Sequence, residues 1–208
     1  EAVVTALDHD GWAVSVLDDL DRFSALAVGP GLGAEEAVSS QVRELVAAAP
    51  LPVVVDGDGL RALGLRAAEV VAARPPDAAP VVLTPHDGEL EALTGHPTPA
   101  DRFAAARTVA EHIGAVLLLK GPTTLVAEPG GHVWAVTAGD ARLATAGTGD
   151  VLTGAVAALL AQGMPADRAA AAGAHLHGRA GALAWRRGLV AGDLPDHLPA
   201  ALAELPGG

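Results

Sequence analysis

Apolar residues fall in short runs separated by segments of helical period along most of the chain. ALAVG at 25–29, PVVVD at 52–56, PVVLTP at 80–85 and AVLLLK at 115–120 have the length of strands, and each predicts a buried strand, the last a central one. Between the first two, AEEAVSSQVRELVAAA at 34–49 sets Val38, Val42, Leu45 and Val46 on one helical face. A strand, a helix and a second buried strand at this spacing predict a right-handed βαβ unit with parallel strands. After a short helical segment, residues 98–114 predict a helix with Thr98 as N-cap, Pro99 in the first turn, Asp101 as capping-box acid and Gly114 as terminator.

From Thr123 the pattern changes. TTLVAE, PGG and HVWAVT at 123–137 predict two strands joined by a tight turn, an antiparallel hairpin added to the parallel sheet. Residues 151–161 contain no charge, which predicts a helix buried on most sides. A further Ala-rich helix is predicted at 165–188, followed by the tail PDHLPAALAELPGG. With no linker or break in composition, the expectation is one α/β domain over 1–208, with a mostly parallel central sheet flanked by helices.

Composition narrows the partners. A chain of 208 residues is long enough for one core, and its formal charge of -12 repels nucleic acid and anionic membrane surfaces. Without cysteine it has neither disulfides nor thiolate metal sites. Runs such as AVLLL at 115–119 are far shorter than a membrane span, and the first residues lack the form of a secretion signal. The expected setting is cytoplasmic, without nucleic-acid or membrane partners.

Ligands of open α/β sheets bind at the carboxyl ends of the strands, where the candidate chemistry lies. Gly29-x-Gly31-x-x-Ala34 followed by Asp56 fits a relaxed dinucleotide fingerprint, although Pro30 removes one backbone donor and the glycines equally suit a tight turn. GTGDVLTG at 147–154 places Gly147, Thr148 and Gly149 at a helix entrance, where unpaired amides and the macrodipole favour a phosphate or developing oxyanion. Asp150 then stands in the same turn, suited to accept a proton from a substrate hydroxyl or merely to complement the dipole. His86 in LTPHDGEL is a ligand contact or a turn residue. Lys120 in KGPTT is placed to meet a phosphate, with Thr123 and Thr124 as hydroxyl donors. No stretch fits GxxxxGK[ST], which excludes a standard P-loop NTPase. His175 and His177, two apart on a helix, face different ways and read as structural. DGDG at 56–59 reads as a turn or as an ion site through Asp56 or Asp58.

In this order, GPGLG (29–33), DGDGL (56–60), LTPHDGE (83–89), LKGPTT (119–124) and GTGDVLTG (147–154) closely resemble the ADP- or ATP-dependent NAD(P)H-hydrate dehydratase family, the carbohydrate-kinase-like YjeF C-terminal domain. TPHxGE combined with GTGDVLxG is the specific part. The resemblance implies a ribokinase-like fold and the nucleotide-dependent dehydration of the S form of NADHX or NADPHX to NADH or NADPH. It further implies that Gly31, His86 and Asp150 contact the hydrated dinucleotide. Lys120, Gly121, Pro122, Thr123, Thr124 and Gly149 would hold ADP or ATP, with Mg2+ on its phosphates. Gly147, Thr148 and Gly149 would form the anion hole and Asp150 would be the catalytic base.

The chain departs from the family in DGDGL, where alanines are expected beside the aspartates, and in Asp87, which replaces a proline common after the histidine. Family members usually begin with an earlier strand and a glycine- and alanine-rich segment, so the domain is expected to be N-terminally incomplete. An open sheet edge and Ala-rich helix also predict a homo-oligomer. Three other readings stay open: a kinase of the same fold acting on a small alcohol, a non-catalytic nucleotide-binding module, and an NAD-dependent Rossmann oxidoreductase using Gly29, Gly31 and Asp56.

Overall fold

The computed structural model describes residues 4–7 and 10–205. Among the described residues, six strands, β1 (Leu26–Val28), β2 (Val53–Val55), β3 (Val81–Leu83), β4 (Val116–Leu119), β5 (Thr124–Ala127) and β6 (Val133–Val136), form one sheet in sequence order. β1 to β4 are parallel, with Leu26, Val53 and Val81 in register across the first three. β5 runs antiparallel to both β4 and β6, as the hairpin pattern predicts. The short apolar runs alternate sides, so Val53, Val55, Leu83, Leu117 and Leu119 face one layer, while Val54, Val82, Val116 and Leu118 face the other.

The first layer contains α1 (Trp12–Asp18), α2 (Glu36–Ala48), α3 (Asp58–Leu63), α4 (Ala67–Ala72), α5 (Asp87–Thr94) and α6 (Arg102–Ile113). On the other face lie α7 (Thr148–Ala161) and α8 (Ala166–Leu183), while α9 (Leu194–Ala203) packs on α8. Ala27, at the edge and on this second face, stays exposed. Hydrophobic period in the sequence leaves α1, α3, α4 and α9 unassigned, although Leu60, Leu63, Ala67 and Val70 lie buried on one side of α3 and α4.

Two expectations change in detail. α6 starts at Arg102, with Asp101 rather than Thr98 as N-cap; the Asp101 carboxylate accepts the Ala104 amide at 3.0 Å. Aspartate ranks above threonine at this position, and Thr98 instead donates to the Asp87 carbonyl at 3.4 Å. α7 buries Thr148, Leu152, Thr153, Val156 and Leu160 but leaves Gly154, Ala158 and Ala161 exposed, so the uncharged helix is covered on one side only.

Gly29 shows why the β1 loop needs glycine. A Cβ there would stand 1.8 Å from the Asp56 carbonyl oxygen, and its φ of 131° lies in the region that favours glycine. The GPGLG and DGDG turns are therefore stacked backbone on backbone.

Candidate nucleotide and substrate site

A cavity of about 770 Å3 opens beyond the carboxyl ends of β3 and β4. One end is made by the loops after these strands, with His86, Asp87, Lys120, Gly121, Pro122 and Thr124, and by the first turn of α7, with Thr148 and Gly149. The other end is more apolar, with Ala138, Ala141, Leu143 and Ala144 from the loop after β6, Leu152 from α7, and Ala174 and His177 from α8. Close packing shapes that end: a Cβ on Gly178 would stand 2.5 Å from the Ala138 carbonyl carbon, so only glycine lets the β6–α7 loop lie on α8.

Beneath the polar end lies a charged network that no single motif announces. Lys120 Nζ lies 2.8 Å from Asp56 Oδ1 and 3.4 Å from Glu89 Oε2, and both acids are buried. The second Asp56 oxygen accepts the Thr153 hydroxyl at 3.0 Å, tying β2 to α7. Glu89 accepts the His86 amide at 2.9 Å, while His86 Nδ1 accepts the Gly88 and Glu89 amides at 3.0 and 3.2 Å. This reciprocal capping box starts α5, so His86 is a turn residue and also lines the cavity. Arg102 donates to the Lys120 carbonyl at 2.9 Å and pairs with Asp87, which fixes the loop after β4.

Lys120 is therefore no free cation awaiting a phosphate: two carboxylates share its ammonium, and its side chain remains one-fifth exposed. Asp56 is equally committed, leaving it unavailable to a ribose, and Asp58 bonds the Gly33 amide at 2.9 Å. Among the described residues no group of three His, Asp or Glu side chains could hold a metal ion.

At the head of α7 the Thr148 amide donates to the Thr145 carbonyl at 3.3 Å, and that of Asp150 to Gly147 at 3.2 Å. Among the described residues, the amides of Gly147 and Gly149, at the N-cap and in the first turn of α7, donate to no backbone carbonyl. The Thr148 hydroxyl donates to the Leu143 carbonyl at 2.6 Å, pinning the turn. Asp150 is exposed in the first helical turn, beside the cavity rather than in its wall.

Of the residues expected at the site, His86, Lys120, Gly121, Pro122, Thr124, Thr148 and Gly149 thus converge on one cavity. Gly31, Thr123, Gly147 and Asp150 are outside its wall; Gly31 lies on the exposed β1–α2 loop and Gly147 is the N-cap of α7. The sequence reading missed the pairing of Asp56 and Glu89 through Lys120, and His177 as a cavity residue. His175 is exposed and His177 buried, as the spacing predicts. Burial holds the His177 ring below the ordinary histidine range; the Thr148 carbonyl opposes this, and the Lys120 charge adds to it.

A sequence model described as NAD(P)H-hydrate dehydratase matches residues 1–204. The chain belongs to the NAD(P)H-hydrate dehydratase family. It is 43% identical over 197 residues to a bifunctional NAD(P)H-hydrate repair enzyme of Moorella thermoacetica, covering 91% of this chain and 36% of that protein. The chain thus spans about a third of the length of that curated relative. Among solved structures it is similar to the ADP/ATP-dependent NAD(P)H-hydrate dehydratase of Bacillus subtilis, co-crystallised with ATP/Mg2+ and soaked with CoA. The TM-score is 0.76 at 34% identity, over 86% of this chain and 66% of that one. A ribokinase-like superfamily protein of Enterococcus faecalis matches with TM-score 0.72 at 23% identity, over 92% of this chain and 67% of that one, which supports the ribokinase-like fold alone. Among the described residues no helix is long and apolar enough to cross a membrane.

Proposed function

We propose that residues 1–208 act as one nucleotide-binding catalytic domain, a hydro-lyase that repairs (S)-NADHX and (S)-NADPHX in the cytoplasm. ADP would yield AMP and phosphate; ATP would yield ADP and phosphate. The observation that supports this reading best is the head of α7, where the Gly147 and Gly149 amides adjoin an exposed carboxylate, Asp150.

In this reading the nucleotide lies in the cavity with its phosphates toward Gly121–Thr124 and Gly149. Asp150 takes the proton of the hydroxyl on the hydrated ring, and the hydroxyl oxygen attacks the terminal phosphorus. The two glycine amides and the helix dipole stabilise charge on the transferring phosphoryl group. The C–O bond of the phosphorylated substrate then breaks, phosphate leaves with the bonding pair, and loss of a proton from the adjacent carbon forms the double bond.

The donor set fits magnesium carried by the nucleotide better than a metal cage in the protein. Magnesium commonly binds through substrate phosphates and retained waters. Its chemistry would be to neutralise phosphate charge that Lys120, shared by Asp56 and Glu89, leaves uncompensated.

The test combines the protein with Mg2+ and either ADP or ATP, adds hydrated NADH, and follows recovery of reduced-nicotinamide absorbance. Recovery that depends on the nucleotide is the expected result. Nucleotide binding without recovery would overturn the reading in favour of a binding module, and a stable phosphate ester as product would favour a kinase.

A further inference from the structure

The loop after β4 is set from behind by an arginine. Arg102 is the first residue of α6 and follows the N-cap Asp101, whose bond to the Ala104 amide fixes the start of the helix. Arg102 is absent from the cavity wall; it borders a second depression of about 340 Å3 that shares only Asp87 with the cavity. Its guanidinium works in two directions, pairing with Asp87 and donating to the Lys120 carbonyl at 2.9 Å. Asp87 is the residue that stands in place of the expected proline after His86, so this chain supplies its own anchor for the arginine.

The consequence falls on one peptide unit. The Lys120 amide donates to the Pro85 carbonyl at 2.8 Å, and the Lys120 carbonyl is held by Arg102. In a planar trans peptide the C=O and the next N–H point in opposite directions, so the Gly121 N–H points away from the guanidinium. Gly121 is exposed, lines the cavity together with Gly149, and its amide donates to no backbone carbonyl. Glycine is also what lets the guanidinium come this close: a Cβ on Gly121 would stand 2.5 Å from one Arg102 nitrogen and 3.0 Å from its Cζ. With its charge matched by Asp87, Arg102 acts on a ligand through the direction it gives this amide rather than as a free cation.

We infer that Arg102 is a positioning residue for nucleotide binding: held by Asp87, it orients the Lys120–Gly121 peptide so that the Gly121 N–H faces the cavity as a phosphate donor. This rests on the reading of the cavity as a nucleotide site. A donor aimed before the ligand arrives needs no reorganisation on binding.

Calorimetric titrations of wild type and Arg102→Ala with ADP and with inorganic tripolyphosphate test the inference, together with the 15N resonance of the Gly121 amide. In the wild type that resonance should move with either ligand. Arg102→Ala should bind both about 10-fold more weakly, the effect of one lost hydrogen bond, and its Gly121 resonance should move much less. Guanidinium ion, added below denaturing concentration, should restore part of the affinity of Arg102→Ala, a recovery that general loss of stability would not show. Equal affinities in the two proteins would overturn the inference, as would a weakened variant that guanidinium does not restore or a Gly121 resonance that shifts as far in Arg102→Ala as in wild type. Should Arg102→Ala fail to fold, the wild type decides alone: a Gly121 resonance that stays still while ADP binds overturns the inference. A wild type that binds neither ligand would instead remove the nucleotide reading, and this inference with it.

Discussion

Two basic side chains sit at opposite ends of the sheet and meet different fates. At the amino ends of β2 and β3, Arg74 donates to the carbonyls of Val46, Leu51 and Ala79, the last two at 3.0 and 2.7 Å. At the carboxyl ends of the strands, Lys120 is shared by the carboxylates of Asp56 and Glu89 and faces an open cavity. Arg74 completes orphan backbone acceptors and leaves nothing for a ligand. The planar guanidinium suits that task because it reaches several oxygens at once. Lys120 ties three chain segments behind a helix entrance and remains part of the cavity wall. The difference lies in the partners: carbonyls only close a structural gap, whereas the buried carboxylates of Asp56, after β2, and Glu89, in α5, build a charged floor under an open cavity.

The strongest way to sharpen this contrast is Asp150→Asn, which leaves both cations in place. Turnover should fall by about 100-fold to 10,000-fold with nucleotide affinity retained, read from steady-state recovery of reduced nicotinamide beside calorimetry. Affinity lost with turnover intact would place Asp150 outside the chemistry.

Lys120→Met should destabilise by about 3–5 kcal/mol in urea unfolding, because two buried carboxylates lose their cation, and should weaken nucleotide binding as well. Adding Asp56→Asn should return part of the stability. Arg74→Met leaves three carbonyls unpaired and should cost about 2–3 kcal/mol while nucleotide binding is unchanged in the folded protein. If Arg74→Met altered nucleotide affinity as much as Lys120→Met, the division between the closed amino end and the cavity end of the sheet would fail.

The smallest effect belongs to the rim. The hydrogen bond from the Arg142 side chain, helped by its amide, holds Asp140 at about 2 rather than its ordinary 3.8. A carboxyl with a lowered folded value favours folding above the unfolded value, and that contribution disappears as pH falls from 3.8 toward about 2. Because the pair is exposed, the loss should stay within about 1 kcal/mol. Urea midpoints of wild type and Arg142→Ala should therefore differ slightly at pH 5 and converge near pH 2. A gap that widens in acid would contradict the assignment.

Strand runs such as PVVVD and AVLLLK, the parallel β1–β2 pair and the hairpin of β5 and β6 were legible because local period and turn residues specify them. The strand-end residues His86 and Lys120 were legible for a similar reason, since polar residues shortly after apolar runs mark the carboxyl-end side of an α/β sheet, and Gly149 because glycines directly before an uncharged helix mark its entrance. Less visible were α3 and α4, six residues each, whose packing surface is decided by neighbours distant in sequence. The cap of α6 was misplaced because Thr98 and Asp101 offer similar local chemistry and only the fold shows which amide each reaches.

The sequence by itself determined the strand runs and the glycine-bounded start of α7, because both depend on neighbours within a few residues. Tertiary structure alone decided that Lys120 pairs with Asp56, 64 positions away, that Gly29 must be glycine to clear the Asp56 carbonyl, and that His177 ends in the cavity wall beside the Thr148 carbonyl. The physical reason is that ion pairing, close backbone approach and desolvation act through space, and their partners come together only when the sheet has formed.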